Sequence, residues 1–262
     1  EDALPPIIAE IHSTERRELA RSISERISVV NEHVILAKLM VQTSRVSGLA
    51  LVYDDLVGFE GNEFYFFKPK EGWAGASYGE AMFRFPSCAL LGLRKPDGSI
   101  KVNPPAATIL DDADEAILLA EDDSAIRYLR QVSPLQAPGK APGLSIEKKA
   151  EKELLVGWSS KAALIMDEYS KYLVPGSSID LIHPDPDESV EEAFAAVQAR
   201  YPSIAMRIIR TDIVRHGTLQ ELAPEQYDNV ILLTGDSGDA ELRDSDTIAK
   251  LLEFRSYFRR FD

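Results

Sequence analysis

Cysteine is almost absent: Cys88 is the only one in 262 residues. That excludes an internal disulfide framework and a cysteine zinc site, and it predicts a reducing compartment. Long apolar runs are missing too. Nothing approaches the roughly 20 residues needed to span a bilayer, and the first residues carry no signal-peptide pattern. Basic charge is in short supply, with 29 Lys and Arg against 43 Asp and Glu, a formal net charge of −14. This charge disfavours nucleic acid and anionic membrane as partners, since phosphate binding needs clustered cations. The four histidines (His12, His33, His183, His216) show no metal spacing with one another. No Gly-x-Ser-x-Gly elbow occurs, no acidic run has EF-hand spacing, and no short tandem repeat is present. The chain reads as a protein without an active site, not an enzyme. It opens on Glu1, with strand-like residues close behind, and so reads as a piece of a longer protein.

What is present is an α/β alternation. Apolar residues make up 45% of the chain, enough for a sizeable core. Residues 154–156 form a short apolar run suited to a buried strand. Gly157 permits a sharp turn, and Ser159 or Ser160 can cap the helix that follows. Ala162, Ile165, Met166, Tyr169, Tyr172 and Leu173 recur at offsets of three and four, one helical stripe. Pro175 and Gly176 stop that helix, and residues 179–182 make the next strand. This is a βαβ unit. A helix over 188–200, a strand over 204–209, a helical turn over 219–222, a strand over 229–234 and a helix over 240–258 continue the pattern. The fold class is α/β: a partial Rossmann-like doubly wound parallel sheet, with a small α+β lobe before it.

That small lobe spans 58–132. Its signs are an aromatic strand at 63–68, a capping box from Ser77 to Glu80, and a hairpin of 89–94 with 100–102 around Pro96-Asp97-Gly98. A further strand at 115–120 completes it. Residues 133–150, rich in Pro and Gly, read as a linker, and 151–262 as an incomplete second Rossmann-like lobe. Residues 1–57 have the pattern of closing strands and helices. They comprise a buried strand at 6–11, a helix at 15–24, a strand at 27–30, a helix at 32–45 capped by Asn31, and a helix at 49–57. The helix at 32–45 is apolar on most faces, which predicts burial on several sides. A sheet without its closing strands would expose an edge, so residues 6–45 are expected to pack near another sheet, within the chain or from a neighbour. The helix at 32–45 and the terminal helix with Phe254, Tyr257, Phe258 and Phe261 are interface candidates. An ordinary core stripe is the alternative for the terminal helix.

Candidate sites follow from the topology. The turn after the first strand of an open α/β sheet is where ligands bind. A dinucleotide fingerprint wants three glycines there, and this chain offers Gly157 followed by Trp158, Ser159 and Ser160. A helix N-terminus still presents free N–H groups to an anion, and Asp185, after the second strand, stands where a ribose-binding acid would. The alternative is a structural turn, with His183-Pro184-Asp185-Pro186-Asp187 serving as a helix entry. For a cation, Asp236 and Asp239 are favoured over the acidic runs at 111–115 and 121–123, because their loop lies at the carboxyl edge of the sheet. Solvated turns are the alternative for all of these. Cys88, in an apolar context, reads as a small buried hydrophobe.

Several segments resemble a known family. Leu-Leu-Val-Gly-Trp at 154–158, followed by a helix ending in Tyr-Leu-Val-Pro-Gly-Ser at 172–177, resembles the second regulatory domain of the Castor and Pollux ion channels and their bacterial relatives. Gln-Thr-Ser-Arg at 42–45, Gly-Leu-Ala at 48–50, Tyr-Asp-Asp-Leu at 53–56 and Gly-Phe-Glu-Gly at 58–61 look like the end of the preceding regulatory unit. Leu-Leu-Thr-Gly-Asp at 232–236 and Asp-Ser-Asp-Thr at 244–247 are similar to the same pattern. The resemblance implies a regulator of K+ conductance (RCK) type domain, in which Rossmann-like lobes assemble into a cytosolic gating ring below a cation channel. It implies a tetrameric or octameric homo-oligomer, a pore domain upstream in the parent chain, and regulation by calcium or a nucleotide. It implies a cytoplasmic domain of a membrane protein, itself soluble as a fragment. Residues 1–57 would then end a first Rossmann-like lobe with its linking helices, and 58–132 would be that unit's C-terminal lobe. Two other classes stand beside this one. A soluble nucleotide-dependent oxidoreductase would need a dinucleotide at Gly157 and a nearby proton donor. A non-binding Rossmann scaffold would bind nothing.

Overall fold

A computed structural model describes residues 5, 7–23, 27–58, 61–69, 71–131, 148–215, 217–236 and 238–261. Most of the expected linker at 133–150 and His216 lie outside the described residues. In chain order the elements are β1 (Ile7–Glu10), α1 (Thr14–Ile23), β2 (Ile27–Val30), α2 (Glu32–Arg45), α3 (Leu49–Val57), β3 (Glu63–Phe67), α4 (Tyr78–Ala81), β4 (Ala89–Arg94), β5 (Ile100–Val102) and β6 (Glu115–Ala120). They continue as β7 (Lys152–Val156), α5 (Ala162–Tyr172), β8 (Ser178–Ile182), α6 (Glu188–Arg200), β9 (Ala205–Ile209), α7 (Thr218–Leu222), β10 (Asn229–Leu232) and α8 (Ala240–Phe258). Two compact units result, one of Glu1–Ser47 with Ile146–Asp262, the other of Gly48–Ser145.

The first unit is built on an all-parallel sheet in the order β10-β7-β8-β9. Counted along the chain from β7, that order is fourth, first, second, third, the order in which a Rossmann sheet begins and reverses direction. Both faces are covered, which is why the strands read as continuous apolar runs. Leu155, Ile179, Leu181, Met206 and Ile231 face one core with α5 (Ile165, Met166, Tyr169) and α6 (Val190, Phe194, Val197). Leu154, Val156 and Ile182 face the other with Leu219 of α7 and Phe254 and Tyr257 of α8. Each such fully buried aliphatic side chain contributes about 1.5–3 kcal/mol.

The N-terminal segment meets this sheet through α2. Ala37 and Val41 sit in the first core beside α5 and β10. Ser44 Oγ lies 2.6 Å from Tyr169 Oη, and the Arg45 guanidinium stacks 3.7 Å from the centre of the Tyr172 ring. Within the segment 6–45, it is α2 that packs against the parallel sheet. Two expectations are corrected. α2 is buried along one stripe, with Ile35 and Leu36 exposed, because its apolar residues outnumber the surface that α5 and β10 cover. β1 is not a buried strand: it pairs in parallel with β2 in a two-stranded sheet, and Ile7 and Ile8 are exposed. In α8, Phe254 and Tyr257 belong to the core, while Leu242, Ile248, Leu251, Leu252 and Phe258 are exposed, as is Phe261 beyond the helix.

The second unit is an antiparallel sheet in the order β3-β6-β4-β5. Its core gathers Trp73, Tyr78, Phe85, Leu90, Leu93 and Leu118, with Cys88 packed partly buried against it. Ser77 and Glu80 form the expected reciprocal capping box. Among the described residues, no helix is long and apolar enough to cross a membrane.

Candidate ligand site at the sheet switch point

The order of strands reverses between β7 and β10, and the carboxyl end of such a switch point is where an open α/β sheet has its binding crevice. Backbone bonds lock the three strand ends there: Gly157 N–H donates to Ile182 O at 2.9 Å and Leu233 N–H to Val156 O at 2.8 Å. Gly157 has φ +88°, and a Cβ at this position would meet Leu233 O at 2.6 Å. The turn therefore needs glycine twice over, for its left-handed backbone and for the carbonyl pressed against it.

Trp158 is half-buried against the first core, which takes its ring inward. Ser159 is buried, and its carbonyl accepts from Ala162 N–H at 2.9 Å. Neither serine is the helix cap: α5 begins at Ala162, Lys161 holds the cap position, and no side chain caps the helix. What meets the turn instead is Asp236, from the loop after β10. Its carboxylate accepts from Ser160 N–H and lies 4.0 Å from the Lys161 ammonium. The position where a phosphate would approach the helix end is shared with a carboxylate from the chain itself.

The structure thus brings Gly157, Trp158, Ser159, Ser160 and Asp236 into one constellation. Asp239 is engaged elsewhere, capping α8 by accepting from Glu241 N–H at 2.9 Å. Asp185 is exposed beyond β8, near His183. Asp187 caps α6, accepting from Val190 N–H at 3.0 Å. Sequence reasoning missed two cationic neighbours of the crevice, Lys161 and Arg243. Arg243 donates through Nη1 to Gly235 O at 2.9 Å, while its buried Nε finds no partner among the described residues. His183 Nδ1 is likewise buried without a partner, and burial pushes the His183 imidazole below its ordinary pKa. The signal available was positional: Lys161 follows the turn serines directly, and Arg243 lies one helical turn into the helix after the Asp236 loop.

The opposite end of the sheet holds a different arrangement. Glu153 is fully buried at the start of β7, near Tyr172 Oη at 3.4 Å and Asn229 Nδ2 at 3.2 Å, with its other oxygen unpartnered among the described residues. Desolvation raises its pKa to about 7. A cavity of about 460 Å³ also opens toward that end, beside buried Asp180, which accepts two bonds from Arg207 (2.7 and 2.8 Å) and one from Tyr227 Oη at 2.5 Å. With every acceptor engaged, this cluster reads as a structural ion pair.

Sheet order, the crossover helices on both faces and the glycine turn at the switch point define a Rossmann-like α/β lobe. The sequence comparisons then give the relatives. A family model described as "Castor and Pollux, part of voltage-gated ion channel" matches residues 33–136. The "Probable ion channel POLLUX" of Oryza sativa subsp. japonica is 26% identical over 260 residues, covering 95% of this chain and 26% of that protein. The "Ion channel POLLUX" of Lotus japonicus is 26% identical, covering 95% and 28%, and the "Ion channel CASTOR" of the same plant is 25% identical, covering 95% and 30%. The chain is thus similar to Castor and Pollux ion channels along most of its length, and it spans about a quarter to a third of the length of these relatives. A solved structure titled "GsuK channel bound to NAD" aligns at 15% identity, covering 94% of this chain and 43% of that one, with a TM-score of 0.29.

Proposed function

We propose that this chain is part of a cytosolic ligand-sensing regulatory region of a cation channel, assembling into a ring and coupling ligand binding to pore opening. The supporting observation is the similarity to Castor and Pollux channels along 95% of the chain, together with a parallel Rossmann-type sheet whose Gly157 turn meets the Asp236 carboxylate. In this reading the work is a change of shape. Ligand binding at the Gly157 turn competes with Asp236 for the Ser160 N–H, and the loop leading into α8 moves with it. A nucleotide or calcium is the ligand, the ring is a homo-oligomer of four or eight units, and the pore lies upstream in the parent protein. The chemistry is binding alone, without turnover.

Calorimetry of the 262-residue chain with NAD, ATP and CaCl2 tests this, with sedimentation followed in parallel. Saturable binding of one of them, altered in Asp236→Asn and accompanied by a change in oligomeric state, supports the regulatory reading. Turnover of a nicotinamide substrate overturns it. A second reading, a scaffold whose turn binds nothing, is favoured by the seat that Asp236 already takes at the start of α5. Silence toward all three ligands selects it.

A further inference from the structure

We propose that His12, Glu32 and His33 form a binding site for a first-row divalent cation of the Zn2+ class. His12 precedes Glu32 and His33 by 20 and 21 residues, and they meet because β1 and β2 run parallel and in register, Glu10 beside Val30. The chain leaves both strands side by side, and Ile11 N–H donates to Val30 O at 2.9 Å. Asn31 then fastens the junction. It is 8% exposed, its amide donates to His12 O at 2.7 Å, and its carbonyl oxygen accepts from Val34 N–H at 3.1 Å, capping α2. One buried side chain thus holds the His12 backbone against the first turn that carries Glu32 and His33.

The ligand atoms of the three side chains all lie within 4.8 Å of one another. Glu32 Oε1 is 3.3 Å from His33 Nε2, and the two imidazole rings stack with centres 4.9 Å apart and planes 22° apart. A tetrahedral ion with bonds of about 2.0–2.1 Å wants its ligands about 3.4 Å apart. The Glu32–His33 pair already meets that spacing, and a modest rotation of the exposed His12 ring closes the third edge. Two imidazoles and one carboxylate select zinc, nickel or copper over calcium or magnesium, which prefer oxygen alone. Glu32 taken singly is an ordinary first-turn acid of α2. That role leaves the two facing imidazoles unexplained. The site is independent of the Gly157 crevice and of the channel reading. A bound ion would staple the end of β1 to α2, the helix that covers the parallel sheet.

Titrating the 262-residue chain with ZnCl2 by calorimetry tests the site. One ion per chain is expected, with affinity falling by about tenfold or more in both His12→Ala and His33→Ala. Unchanged zinc affinity in the two variants overturns the proposal. Should either variant fail to fold by circular dichroism, the unmodified chain decides by NMR with substoichiometric Cu2+. Paramagnetic broadening of the His12 and His33 imidazole signals supports the site. Broadening confined to His183 and His216, or to no histidine, refutes it.

Discussion

The two ends of the parallel sheet handle their carboxylates in opposite ways. At the carboxyl end, Asp236 reaches a backbone N–H at the entry to α5 and an ammonium beside it, in contact with solvent. At the amino end, Glu153 is shut away from water with one oxygen unpartnered among the described residues. The first arrangement is open to exchange, because an incoming anion or cation can take over one partner of the acid. The second is settled by protonation, because burial penalises the charged form and little compensates it. The exposed acid and the buried one are thus separated by the length of the strands.

Four substitutions sharpen the contrast. Gly157→Ala, at the carboxyl end, should cost about 3 kcal/mol or more in chemical denaturation, since it combines a left-handed backbone with a clash on Leu233 O. Glu153→Gln should act the other way. The folded pKa of Glu153, about 7, lies above its ordinary 4.5, so the folded chain holds the extra proton between those values. Stability should then fall as pH rises from about 4.5 to about 7 and level off above. The glutamine variant should remove that slope and gain on the order of 3 kcal/mol at pH 8, read from urea midpoints at pH 5 and pH 8. Arg207→Met leaves buried Asp180 with Tyr227 alone and should cost about 2 kcal/mol by the same assay. Asp236→Asn should be nearly silent, within about 0.5 kcal/mol. A large loss in that variant would make the carboxyl end as rigid as the amino end and break the comparison.

Much of this was legible in the residues. The apolar run before Gly157, the helical stripe from Ala162 to Tyr172 and the capping signals at Asn31, Ser77 and Asp187 are local, and each element appeared where its pattern lay. Glycine at the turn was legible too, because a left-handed backbone with a carbonyl pressed against it admits no side chain. Non-local pairings were not legible. Asp236 meets Ser160 across 76 residues of sequence, and no spacing rule reports it. The histidine pair escaped for the same reason: a parallel register, not a motif, joins His12 to His33. The exposure of β1 also escaped, since an apolar run states a preference for cover without saying whether another layer supplies it.

The stripe of α2 that faces the parallel sheet has a consequence for biosynthesis. Ala37 and Val41 leave the ribosome more than a hundred residues ahead of α5 and β10, against which α2 packs. In the interval the residues of the antiparallel unit emerge and can close their own local core, while the helix waits without its sheet. The partners of the antiparallel unit thus lie close in sequence, whereas the partners of α2 lie far from it.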